Sequence, residues 1–162
     1  EYLSKSLLVR EAIRSHLCDG GICKPLQFHT DGSTSKVEVL TWSIFTPLFG
    51  EVLNKEEADE VINTHLLNPE HFYTPYMVPS TAAIDPAFDP ENFWRGPIWG
   101  AVNWFVYKGL RSYGYDDAAN NLKKKTHELI QRSGFREYYN PMTGKGLGAH
   151  DFTWMGLVLD ME

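Results

Sequence analysis

The segment from Ile98 to Tyr113 most constrains what this chain can become. It sets Trp99, Val102, Trp104, Phe105, Val106 and Leu110 around nearly every side of a helix, with Pro97 near the first turn and Gly114 at the end. Proline fits a first helical turn, and glycine favours the position after the last. A helix that is apolar all round expects burial on several sides. Val37 to Phe49, stopped by Gly50, reads the same way. Two such helices need more cover than the rest of the chain supplies, so the pattern suggests part of something larger.

The other elements read as amphipathic helices. Leu3 to Leu17 carries a loose stripe of Leu3, Leu7, Leu8, Ile13 and Leu17, ended by Asp19-Gly20-Gly21. Asn54 with Glu57 forms a capping-box pattern ahead of Ala58, Val61, Ile62 and Leu66. Asn68 to Asn92 holds five prolines that forbid regular helix, while Phe72, Tyr73, Tyr76 and Phe88 favour an ordered, packed loop. Asp116 or Asp117 caps a helix running to Ser133, striped by Ala119, Leu122, Thr126, Leu129 and Ile130 and closed by Gly134. Phe152 to Leu159 is a short apolar element, for which Asp151 is the expected cap. Six helices with alternating short and long connections predict an all-α fold of stacked helical hairpins. No strand alternation supports more than a hairpin, and residues 1–162 read as one domain.

A formal net charge of -6 excludes general affinity for nucleic-acid phosphates, which needs a clustered basic face. The basic run Lys123 to Lys125 reads as a solvated helix face. No apolar run reaches the roughly 20 residues that cross a bilayer. Cys18 and Cys23 are too few for a disulfide framework. They allow either one local bridge or two free thiols, so the compartment stays open, with the cytoplasm slightly favoured.

The chemistry concentrates in Phe135-Arg136-Glu137-Tyr138-Tyr139-Asn140-Pro141 and the glycine-rich Thr143 to Gly148 that follows. A base that polarises water belongs at the end of a rigid element, beside groups that orient it, and Arg136, Tyr138 and Tyr139 suit Glu137 for that role. The competing reading is a surface glutamate in a turn. Upstream, Trp94-Arg95-Gly96 precedes a helix: sugars stack C–H faces on aromatic rings, arginine forks bond hydroxyls, and glycine permits close backbone approach. Trp99 and Trp104 read as core, and Trp154 as either pocket wall or core. Histidines and cysteines show no metal-ligand spacing, and Gly144-Lys145-Gly146 lacks the frame of a phosphate loop. Nothing visible requires a metal or cofactor.

Taken in order, Trp94-Arg95-Gly96-Pro97-Ile98-Trp99, Gly109-Leu110, Tyr113-Gly114, Glu137-Tyr138-Tyr139-Asn140-Pro141 with Thr143-Gly144, and Phe152-Thr153-Trp154 resemble glycoside hydrolase family 63. The likeness is to its bacterial-type branch of mannosylglycerate and glucosylglycerate hydrolases, from about Thr41 onward; the loop from Pro79 to Phe88 resembles the one that precedes the arginine block there. The resemblance implies an (α/α)6 barrel, hydrolysis of a small α-glucoside or α-mannoside with inversion, and Glu137 as general base. It also implies substrate contacts by Trp94 and Arg95 and a place beside the pocket for Trp154; Gly96 and Tyr139 complete the expected substrate contacts. The family's general acid is an aspartate in a motif absent here, since Asp19, Asp31, Asp85 and Asp89 lack its context. The expectation is therefore about half of the barrel, its C-terminal part, with a carbohydrate substrate and the missing N-terminal half as partners. The alternatives are a non-catalytic carbohydrate-binding or scaffolding fragment and a trehalase-like hydrolase of the same barrel class.

Overall fold

The structure is a computed structural model that describes residues 1–162. Helix α1 (Tyr2–Leu17) is followed by two antiparallel hairpins, β1 (Cys18–Asp19) with β2 (Ile22–Cys23) and β3 (Leu26–Phe28) with β4 (Thr34–Lys36). A 3-10 turn at Trp42–Phe45 leads into α2 (Thr46–Phe49), then α3 (Lys55–Val61), which runs on as a π turn over Ile62–Leu66. After the proline-rich stretch and a 3-10 turn at Phe93–Arg95 come α4 (Gly100–Ser112) and α5 (Asp116–Ser133). A third hairpin joins β5 (Arg136–Tyr139) to β6 (Gly146–His150), and a 3-10 segment, Thr153–Asp160, ends the chain. Helices dominate, but the three hairpins correct the all-α expectation.

Helix α4 is the centre of the packing. It buries Val102, Asn103, Val106, Tyr107 and Leu110 against α2, α5 and the last 3-10 segment. Gly109 permits the close approach of α2, because a Cβ there would sit 2.7 Å from the Cβ of Leu48. Helix α5 presents Ala119, Leu122, Thr126 and Leu129 to this core, the expected stripe. Its first-turn Asp116 and Asp117 make no side-chain cap; they place negative charge at the positive end of the helix dipole instead. Burial of α4 on every side is not met either. Trp104 and Phe105 stay partly exposed, with the rings of Phe49 and Trp42 against them and the Trp104 indole N–H bonded to Asp160.

The expected helix over Val37 to Phe49 does not form along its length. Residues 37–41 form no helix, with a bend at Val39 and extended backbone at Thr41, and only Thr46–Phe49 is α-helical. Tertiary bonds take the backbone groups a helix would use: Leu40 N–H donates to Asp85 Oδ2 (2.9 Å), Leu40 O accepts from Ala82 N–H (2.8 Å), and Trp42 N–H donates to Ser80 O (3.1 Å). Val37, Val39 and Thr41 are β-branched, which lowers the local preference for helix.

The long stretch from Asn68 to Asn92 is ordered, as expected. Asn103, fully buried on α4, accepts from Val78 N–H (2.9 Å) and donates to Met77 O (3.1 Å) and Thr126 Oγ1 (3.0 Å). One amide thus ties the stretch to two helices, and its burial costs little because every polar atom is matched.

The first 40 residues attach differently. Helix α1 buries no residue, and Leu3, Leu7 and Leu8 are exposed. Arg14 holds it with a two-pronged bond to Glu57 (2.6 and 2.7 Å) and a third to Val52 O (3.0 Å). Glu57 also completes the expected capping box with Asn54. Of the two options for the cysteines, the structure shows the local bridge, Cys18 to Cys23.

Candidate active site

The β5–β6 hairpin carries Glu137, and the adjoining backbone explains why it is rigid. Tyr139 and Ile98 exchange backbone bonds (2.8 and 3.0 Å), and Ile98 also bridges to Pro79, so the hairpin continues into a short ladder at the foot of α4. Tyr139 is fully buried. Its hydroxyl donates to Gly134 O (2.6 Å) and accepts from Arg136 N–H (2.9 Å), and burial pushes the phenol up, which keeps that proton in place. Below it, Asn140 Oδ1 accepts from Met142 N–H (2.9 Å) and Thr143 N–H (3.1 Å) and shapes the turn.

Glu137 is half-buried on this hairpin, not a freely solvated turn residue. Its Oε2 accepts the backbone N–H of Ala149 at 3.0 Å. The ring edge of Tyr138 borders the same spot: a Cβ built on Gly148 would lie 2.5 Å from that oxygen and 2.6 Å from Tyr138 Cε1. The carboxylate therefore sits beside an aromatic edge.

Tyr138 leads into a cluster of rings centred on Trp99. Its ring lies 4.9 Å from Trp99 and 5.7 Å from Phe93, and Trp94 stacks on Trp99 at 4.0 Å with planes only 4° apart. Trp154 approaches Trp99 at 5.8 Å and Phe152 at 5.3 Å. Trp99 itself is buried, whereas Phe93, Trp94 and Trp154 are exposed at 49%, 38% and 41%, an apolar ring face open to a ligand. None of the five cavities in the molecule is lined by these residues; the largest apolar one, about 350 Å³, lies between Ile13, Leu17 and Phe49. The ring face is an open wall, not an enclosed hollow.

The structure links Glu137 to Trp94 and Trp154 through Tyr138 and Trp99, and it engages the other expected contacts in bonds or packing of their own. Tyr139 is consumed by the hairpin. Gly96 is buried and lets its backbone pass against that of Asp89, where any Cβ would overlap the Asp89 carbonyl. Arg95 is exposed at the loop, with its Nε donating to Ala87 O (3.2 Å) and so bracing the turn. Asp151 makes no cap; Phe152 occupies the position before the last 3-10 segment. Phe93 and Tyr138 belong to the ring face but were not among the expected contacts. Phe93 adopts φ 43°, uncommon for a bulky side chain. Its signal was its place at the head of the Trp-Arg-Gly block.

Comparison with known proteins meets this geometry. The family described as the mannosylglycerate hydrolase MGH1-like glycoside hydrolase domain matches residues 2–155. Mannosylglycerate hydrolase from Rubrobacter radiotolerans is 35% identical over 152 residues, covering 92% of this chain and 34% of that protein. The enzyme of the same name from Thermus thermophilus is 47% identical over 79 residues, 49% of this chain and 19% of that one. A crystal structure of a GH63 mannosylglycerate hydrolase from Thermus thermophilus in complex with Tris and D-glycerate superposes with TM-score 0.71 at 36% identity, over 81% of this chain and 31% of that one. Neutral trehalase Nth1 from Saccharomyces cerevisiae, at 18% identity and TM-score 0.67, shares the fold over 94% of this chain and 29% of its own. The chain thus spans about a third or less of the length of these relatives. With its residues matched almost end to end and its backbone superposing on a solved member, the chain belongs to the MGH1-like mannosylglycerate hydrolase branch of glycoside hydrolase family 63.

Proposed function

We propose that the chain is the C-terminal part of an (α/α)6 glycosidase domain, and that it supplies the general base for inverting hydrolysis of a small α-mannoside or α-glucoside. The observation that carries this reading is the placement of Glu137. Its carboxylate accepts the Ala149 N–H and is bordered by Tyr138, whose ring in turn meets Phe93 and Trp99 of the ring cluster. A sugar stacked on those rings presents its C–H face to them and its anomeric carbon toward the hairpin.

In an inverting step, Glu137 takes a proton from a water as that water attacks the anomeric carbon, while an acid on the opposite face protonates the departing oxygen. The water's oxygen forms the new bond, the glycosidic bond breaks, and configuration inverts. The acid is assigned to the part of the domain that the longer relatives carry and this chain does not cover. Arg95, whose Nε braces Ala87, keeps the rest of its guanidinium for an acidic aglycone such as glycerate, since a planar fork suits a carboxylate.

The test is Glu137→Gln in the full-length protein, assayed on mannosylglycerate and glucosylglycerate with NMR of the first-formed sugar. Turnover is expected to fall by roughly 10³-fold with the fold retained, because a positioned base contributes on that order. The wild-type product is expected as the β-anomer. Unchanged turnover in the variant removes Glu137 from the chemistry, and an α-anomer first product removes inversion.

A further inference from the structure

We infer that a β-bulge at Gly148–Ala149 aims Glu137, with Gly148 a positioning residue for the water-activating carboxylate. This rests on the reading of Glu137 as base and adds what holds it in place. Between the paired positions Arg136↔His150 and Tyr138↔Leu147, β5 contributes one residue, Glu137, and β6 contributes two, Gly148 and Ala149. One residue opposed by two is a bulge, and Gly148 at φ 64° occupies the left-handed conformation of the glycine type of bulge. Such a bulge twists the ladder locally and redirects the side chains beside it.

Two consequences converge on the carboxylate. The bulge turns the Ala149 N–H toward Glu137 Oε2, 3.0 Å away. The missing Cβ of Gly148 leaves the volume the glutamate side chain crosses; a Cβ there would lie 2.5 Å from Glu137 Oε2 and 2.8 Å from Glu137 Cβ, closer than real contacts allow. The Gly148 carbonyl meanwhile accepts from Arg136 Nη2 (2.8 Å), which fastens the bulge from its other side. Gly114 and Gly134 make the contrast: both have positive φ, yet a Cβ on either meets nothing within 4 Å. They serve backbone conformation alone. Gly148 serves conformation and clearance together.

The test uses the full-length protein, with Gly148→Ala, Gly148→Asn and Gly114→Ala made alone and in the Glu137→Gln background, and kcat and KM measured on mannosylglycerate. Asparagine tolerates positive φ better than alanine, so Gly148→Asn keeps the added Cβ with less backbone strain. Either Gly148 variant is expected to lose roughly 10²-fold in kcat, the scale of a 1 Å misplacement, with KM within about threefold. Gly114→Ala is expected to keep kcat within about twofold, and the Gly148 changes are expected to add almost nothing in the Glu137→Gln background, because residues acting as a unit are not additive. Folded Gly148 variants with wild-type kcat overturn the inference. So does an equal further loss in the Glu137→Gln background, and so does unfolding of both Gly148 variants while Gly114→Ala stays folded, which makes Gly148 a residue of the fold. Full turnover by Glu137→Gln itself strikes the base reading instead, and the two failures are distinguishable.

Discussion

Residues 1–40 and 41–162 draw on the same kinds of apolar side chain and do opposite things with them. Helix α1 carries Leu3, Leu7 and Leu8 in the open, whereas α4 buries Val102, Val106 and Leu110 completely. The difference is not local propensity, since both segments form long helices. It is the presence of a facing surface: α4 has α2, α5 and the last 3-10 segment, and α1 touches mainly its own hairpins. Burial is a property of pairs of elements, so an apolar stripe states a requirement and not its fulfilment.

Removing Asn103 should break the larger region outright. Asn103→Ala leaves Val78 N–H, Met77 O and Thr126 Oγ1 buried without their partner, and a cost of about 2–4 kcal/mol is expected, read as a lowered denaturation midpoint. A loss under about 0.5 kcal/mol would mean the long stretch is held by its rings alone.

Acid should sharpen the contrast next. His65 is buried against His71, with ring nitrogens 2.9 Å apart, and burial followed by the neighbouring His71 holds it below the usual histidine range. The folded state therefore binds this proton less readily than the unfolded chain. Its stabilising contribution is present above the unfolded value of about 6.5 and is lost as pH falls below that value toward the folded one. Denaturation curves between neutral pH and about pH 5 are expected to show this decline, and His65→Gln to flatten it; an unchanged slope removes His65 as the cause.

The smallest expected effect falls on the first 40 residues. Arg14→Ala should move global unfolding by only about 0.5–1 kcal/mol, as expected for a partly exposed ion pair. Hydrogen exchange should nevertheless quicken through α1 and leave α4 protected. Loosening of both helices would erase the distinction between the regions. The sign with pH is the familiar carboxylate one: bonding to Arg14 holds Glu57 below its usual range, so this attachment is present above the unfolded carboxyl value and is lost as pH falls through the lowered one.

Much of the architecture was legible because its signals are local. The Asn54–Glu57 box, the α5 stripe with Gly134 and the α4 bounds all follow from residues within one or two turns of each other. What escaped was decided at a distance. Val37 to Phe49 has the apolar content of a helix, but Asp85, Ala82 and Ser80 claim its backbone. The β5–β6 pairing depends on a bulge and on Ile98, neither of which a four-residue strand announces. The choice of Glu137 rests on its motif and that of Trp94 on its block. Tyr139 was misassigned because a tyrosine beside a base looks the same in sequence whether its hydroxyl faces a ligand or, as here, Gly134.

Trp99 has a consequence of its own. One side of this indole belongs to the hydrophobic interior and the other backs Trp94, so a single ring is both masonry and façade. Gly100, the next residue, sits against Met155 and the Trp154 backbone, so the same step of chain serves the interior too. A substitution of Trp99 meant to retune the outer wall also tests how well the inside still fits.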